Sequence, residues 1–195
     1  IMKILKSFLL CLIVASFTSC DNDNDPTNNV CDDTYLSIAN STVFTTANWY
    51  TLNETMDLLT HEYTMVINAS GEICSIGYKN ASTYTGTYEM EVENLTTNVT
   101  ITQTFSFSQT ALQYQSFTIP LVVNTGDTVV VRRTISTGYT SLNETIGDIY
   151  VNSNPIPFPI AINPNATIIS SNFYGTGGPA QDFGVPLIGV GFKLN

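Results

Sequence analysis

Residues 87–93 read Thr-Tyr-Glu-Met-Glu-Val-Glu (TYEMEVE), and this short run decides the fold class. Tyr88, Met90 and Val92 share one face of an extended chain, while Glu89, Glu91 and Glu93 share the other. Side chains alternate across a strand, so one face packs and the other meets water. The same period of two recurs downstream. VTITQTFSF (99–107) sets Val99, Ile101, Phe105 and Phe107 together, with Gln103 the one break. DTVVVRRTI (127–135) gathers Val129, Val131 and Ile135 and forces Arg133 onto their face.

Outward from this centre the chain continues as strands and turns. EYTMVIN (62–68) and EICSIGYK (72–79) are separated by Ala69-Ser70-Gly71, a loop of hairpin length. LQYQSFTI (112–119) changes phase between Tyr114 and Phe117, which predicts a bulge near Gln115. Asn124-Thr125-Gly126 reads as a turn. SNPIPFPIAINPN (153–165) carries four prolines, each without a ladder donor, and reads as a loop or sheet edge. YGTGGP (174–179) reads as a second loop and VPLIGVGFKL (185–194) as a closing strand. TLNETMDLLTHE (51–62) is the best candidate for a short turn or helix. Short strands at regular spacing predict an all-β chain, a single antiparallel β-sandwich of jelly-roll-like or Ig-like form over residues 35–195.

The N-terminal segment follows other rules. Lys3 and Lys6 precede an apolar core from Phe8 to Phe17, and small residues lead to Cys20. The apolar run is too short to span a bilayer, so residues 1–19 read as a signal peptide. SFTSC resembles the bacterial lipobox, with Phe17 where members of that class usually carry Leu. The resemblance implies lipid attachment at Cys20 and a membrane partner through that anchor. The acidic run DNDND (21–25) resembles the export tag of Gram-negative surface lipoproteins, which implies the outer membrane and the cell surface. A calcium-loop reading of the same run fails. An EF-hand needs Gly at its sixth position and Glu at its twelfth, where Pro26 and Asp32 stand. Residues 20–34 therefore read as an acidic polar tether.

Composition narrows the function class. The chain carries 16 acidic and 6 basic side chains, a formal net charge of −10. Once Lys3 and Lys6 leave with the signal, only Lys79, Arg132, Arg133 and Lys193 remain as cations. That balance excludes nucleic acid as a partner, since such binding rests on basic patches. Of four cysteines, Cys11 leaves with the signal and Cys20 takes the lipid. Cys31 and Cys74 remain as an even pair in an oxidising compartment, and a disulfide is expected between them. One histidine, His61, gives little basis for a metal site, and none is expected. No cofactor is expected either.

No nucleophile signature accompanies His61, and no catalytic residues are assigned, so a non-enzymatic protein is expected. A small hydrolase would need a carboxylate pair drawn from Glu54, Asp57, Glu62, Asp148 and Asp182, which any acidic protein offers. Carbohydrate binding needs flat aromatic faces beside amides or carboxylates. Trp49 and Tyr50, Tyr139, and Tyr174 lie in or near loops, with Asn48, Asn172 and Asp182 close in sequence. Trp49, Tyr50, Tyr139, Tyr174 and Asp182 are the candidate ligand-binding residues.

The order HEYTMVINASGEICSIGYKN, TGTYEMEV, QYQSFTIPLVVNTGDTVVV and VPLIGVGFKL, spanning roughly 61–194, resembles a bacterial cell-surface domain family of unknown function found beside carbohydrate-active modules. The resemblance rests on Gly71 ahead of Ile73 and Tyr78-Lys79, on Thr85-Gly86-Thr87, on Pro120 between two strands and on Gly126 before a β-run. It implies a jelly-roll-like sandwich and brings no catalytic residues. Tyr114 and Met90 stand where that family often has Trp. The expectation is a lipid-anchored surface protein that binds glycan or serves adhesion or nutrient capture. A structural envelope lipoprotein contacting protein partners is the alternative.

Overall fold

The computed structural model describes residues 30–56, 58–82, 84–135, 145–175 and 179–195. Among them lie thirteen strands, one short 3-10 turn (Thr46–Asn48) and no α-helix. The strands are β1 (Tyr50–Met56), β2 (Leu58–Ile67), β3 (Gly71–Tyr78), β4 (Tyr88–Asn94), β5 (Val99–Phe105), β6 (Gln113–Val123) and β7 (Thr128–Ile135). They continue as β8 (Thr145–Asn152), β9 (Ile160–Asn163), β10 (Ala166–Gly175), β11 (Ala180–Gln181), β12 (Val185–Pro186) and β13 (Gly189–Leu194).

All pairings are antiparallel, and the strands form an all-β sandwich. One layer is a seven-stranded sheet in the order β11-β10-β2-β7-β4-β5, with β9 also on β10. Facing it are two three-stranded sheets, β13-β3-β6 and β1-β8-β12, joined where β12 runs into β13 through Leu187 and Ile188. The layers meet through Tyr63, whose buried hydroxyl donates to the Ile188 carbonyl at 2.9 Å, and through the Tyr78–Tyr88 and Phe105–Phe117 ring pairs.

The alternation of residues 87–93 is realised in full. Tyr88, Met90 and Val92 are wholly buried, as are Val129, Val131 and Arg133 on the adjacent β7. Each large apolar side chain so placed contributes about 1.5–3 kcal/mol. Gln103, the break in the β5 pattern, sits where β5 faces β6 without a ladder. Its Oε1 accepts the Thr118 N–H at 2.9 Å. Gln115 donates to the Ser106 carbonyl at 3.3 Å, and Gln113 accepts from the Ser108 N–H at 2.9 Å. Three glutamine side chains thus satisfy backbone groups along the open side of the sandwich.

Several local expectations are corrected. The described residues of 51–62 form no helix: β1 and β2 divide that segment and lie in different sheets. β2 and β3 are not a hairpin either. β2 pairs with β7 and β10, whereas β3 pairs with β6 and β13, so Ala69-Ser70 carries the chain across the layers. The bulge expected near Gln115 is present, just beyond that residue. Ile73 pairs with Leu121 and Ser75 with Ser116, which leaves 117–120 opposite a single residue. Pro120 sits inside β6 at this bulge, where a missing N–H costs no ladder bond.

Cys31 and Cys74 form a disulfide, with Cα atoms 6.0 Å apart. Beside it, Asp32 exchanges two backbone hydrogen bonds with Phe192, at 2.8 and 2.9 Å. Tyr35 stacks on the Phe192 ring, and Leu36 and Ile38 are fully buried. The end of the segment read as a tether is therefore fastened to β3 and β13. From there residues 35–48 run across the sandwich toward the start of β1.

Candidate functional site

At the start of β1 the chain makes a single 3-10 turn and stops at Trp49, whose φ is 67°. The left-handed region is costly for a bulky L-residue, by about 1–2 kcal/mol. Surrounding bonds hold it there. The Trp49 N–H donates to the Thr46 carbonyl at 3.1 Å, and the Tyr50 N–H to the Thr45 carbonyl at 3.0 Å. Ser153 donates its N–H to the Trp49 carbonyl at 3.3 Å, and Asn152 Nδ2 donates to the Asn48 carbonyl at 3.2 Å. The result is a tryptophan with 67% of its surface exposed. The next residue, Tyr50, is 4% exposed, with its ring edge-on to Phe44.

Trp49 borders an open groove of about 590 Å³, within the range of about 300–1,000 Å³ usual for small-molecule sites. The segment 155–160, Pro-Ile-Pro-Phe-Pro-Ile, forms part of its wall through Pro155, Pro157, Pro159 and Ile160. Pro155, Pro157 and Pro159 are exposed, while Ile156 and Phe158 pack on the core and Ile160 is buried within it. A period of two therefore persists through a stretch that cannot form a ladder. Proline fixes φ, so this wall is stiff before any ligand arrives. Polar groups stand at the rim. Asn152 Oδ1 accepts the Asn154 N–H at 2.9 Å, and Asn48 Nδ2 donates to the Val43 carbonyl at 2.9 Å. The Asn154 side chain makes no hydrogen bond among the described residues and borders the groove. One exposed aromatic residue, a stiff proline-rich segment and the free Asn154 amide suit a ligand with apolar ring faces and hydroxyl edges.

The other candidate residues do not join Trp49. Tyr50 belongs to the core at 4% exposure, although it borders the groove. Tyr139 lies outside the described residues. Tyr174 pairs from β10 with Thr60 of β2 and does not line the groove. Its hydroxyl donates to Glu62 at 2.8 Å, and Asn172 donates to the same carboxylate at 3.2 Å. Partial burial and the Glu62 carboxylate raise the Tyr174 pKa above its ordinary value. Asp182 ties a loop: its carboxylate accepts the Ser171 N–H and its own N–H reaches the Ser171 carbonyl, both at 2.9 Å. Sequence reasoning missed Asn152, Asn154 and the three prolines as groove residues. The alternation inside 155–160 was the available signal.

The candidate acid-base groups are likewise engaged. Glu62 is buried and bound by Arg132 at 2.6 Å; Asp148 pairs with Lys79 at 2.8 Å; Glu54 accepts from Ser82 at 3.0 Å. Asp57 lies outside the described residues. His61 is wholly buried, edge-on to Phe173, and neither ring nitrogen has a hydrogen-bond partner among the described residues. Burial, reinforced by the Arg133 charge, holds its pKa well below the ordinary value. Among the described residues no three His, Cys, Asp or Glu side chains gather as a metal site. No family model matches the chain, and no curated protein matches it.

Proposed function

We propose that this chain is a lipid-anchored cell-surface β-sandwich protein, non-enzymatic, that binds glycan at the Trp49 groove in adhesion or nutrient capture. The observation that carries the reading is Trp49 itself: a bulky residue held in a left-handed conformation with its ring in solvent. A strained, exposed aromatic lowers stability, and such strain collects where a ligand is met. The lipobox-like Cys20 and the acidic run that follows support the anchor and the outer-membrane address. The ligand class follows the family resemblance read in the sequence pattern of residues 61–194.

The test is affinity electrophoresis of the full chain in detergent through gels containing soluble polysaccharides. The reading expects retardation by at least one polymer and its loss in Trp49→Ala. Retardation that survives Trp49→Ala removes the groove from the account. A second reading, contact with a protein partner, is favoured by the exposed apolar strip of Val99, Ile119 and Val122 along β5 and β6. Crosslinking on intact cells, with Ile119→Lys as the control, separates the two.

A further inference from the structure

The groove borders are without charge, and this narrows the ligand. We infer, resting on the glycan reading above, that the Trp49 groove takes neutral polysaccharide segments and rejects uronate- or sulfate-bearing ones. Among the described residues, the groove is lined by apolar side chains, prolines and the asparagines 48, 152 and 154, with no acid and no base.

The four cations that follow Cys20 account for themselves elsewhere. Lys79 is bonded to Asp148 at 2.8 Å, and Lys193 to Glu72 at 3.3 Å. Arg132 on the outer face of the seven-stranded sheet is held by Glu62, Glu91 and Glu93. Arg133 is wholly buried, with its guanidinium over the rings of Tyr78 and Tyr88 at 5.6 and 5.3 Å. None of the four lines the groove. Recognition of a sugar carboxylate or sulfate usually calls on a guanidinium or ammonium group, and Arg supplies the strongest pairing. An anionic polymer would meet no such partner here. It would also approach a molecule of formal charge −10, whose field opposes it. A neutral sugar ring loses nothing by the absence of cations, because its apolar face stacks on the indole and its hydroxyls reach the amides.

Matched polymers test the inference. The full chain in detergent is run against hydroxyethyl cellulose and carboxymethyl cellulose, and against dextran and carboxymethyl dextran, beside galactomannan and polygalacturonate. The expected result is Trp49-dependent retention by a neutral polymer, with its anionic counterpart weaker by about tenfold or more. Raising ionic strength from about 20 mM to about 500 mM should change neutral retention less than about twofold, since no ion pair is screened. Asn154→Lys places a cation on the rim and should strengthen anionic retention by about threefold or more. Trp49-dependent retention that is as strong for the anionic partner overturns the inference and leaves the glycan reading standing. Absence of Trp49-dependent retention by every polymer overturns both.

Discussion

Two aromatic clusters in this molecule face opposite fates. Tyr78 and Tyr88 close over a cation that the chain itself supplies, Arg133, and the Phe107 ring packs against both tyrosines. Trp49 stands in solvent over a groove with no charge. In the first cluster the rings' negative faces are occupied and burial raises both tyrosine pKa values, an effect Arg133 partly opposes. In the second the aromatic face is vacant and its backbone is held in a costly conformation. The difference teaches that aromatic content alone does not mark a binding surface here. What distinguishes the two is whether the chain has already filled the face.

Four variants put this contrast under stress. The largest effect should come from the disulfide, which fastens the segment leading to Trp49. Replacing Cys31 and Cys74 together by Ala removes a cross-link with a sequence separation of 43 residues. Loop-closure entropy then predicts a loss of about 4 kcal/mol, read by urea unfolding. Arg133→Ala should follow, at about 2–4 kcal/mol, because it empties a buried site and strips two ring faces of their cation. If this variant unfolds at the wild-type midpoint, the first cluster is not a packing device and the contrast fails.

The third effect depends on pH. His61 is buried as the neutral imidazole, with a pKa below its ordinary 6.5. Between the two values the unfolded chain binds the extra proton, so stability falls as pH drops below about 6.5. The slope is about 1.4 kcal/mol per pH unit and ends at the folded-state value. His61→Leu should flatten that part of the stability curve relative to wild type. Identical slopes would mean that the imidazole reaches solvent. The smallest effect on stability belongs to Trp49→Asn. Asparagine tolerates the left-handed conformation, so unfolding should be unchanged or harder by up to about 1 kcal/mol, while polysaccharide retention disappears. A clear loss of stability would make Trp49 a packing residue after all.

Much of this was legible in the chain. The period of two fixed the inward faces of β4 and β7 and forced Arg133 into the core, since a strand cannot turn one side chain away from its neighbours. The cysteine count gave the disulfide. What the sequence hid was set by long-range pairing. Residues 51–62 read as a short turn or helix because they lack sustained alternation, while β1 and β2, which divide them, join different sheets. Ala69-Ser70-Gly71 has hairpin length, yet loop length does not say which sheet the next strand joins. Trp49 and Tyr50 are adjacent aromatics, and only the backbone rotation at Trp49 sends one outward and the other into the core. Among the site residues the sequence offered Trp49. The proline wall was concealed because its alternation runs where no strand can form.

Trp49 is the only tryptophan in the chain, so its fluorescence reports on the groove alone. The most direct measurement is acrylamide quenching of the full chain in detergent, with and without a saturating neutral polysaccharide. The account predicts an exposed, readily quenched indole in the free protein. On adding the polymer, the emission should move to the blue and quenching should weaken. Retention by the polymer with emission and quenching unchanged would contradict it, because the ligand would then sit somewhere other than on Trp49.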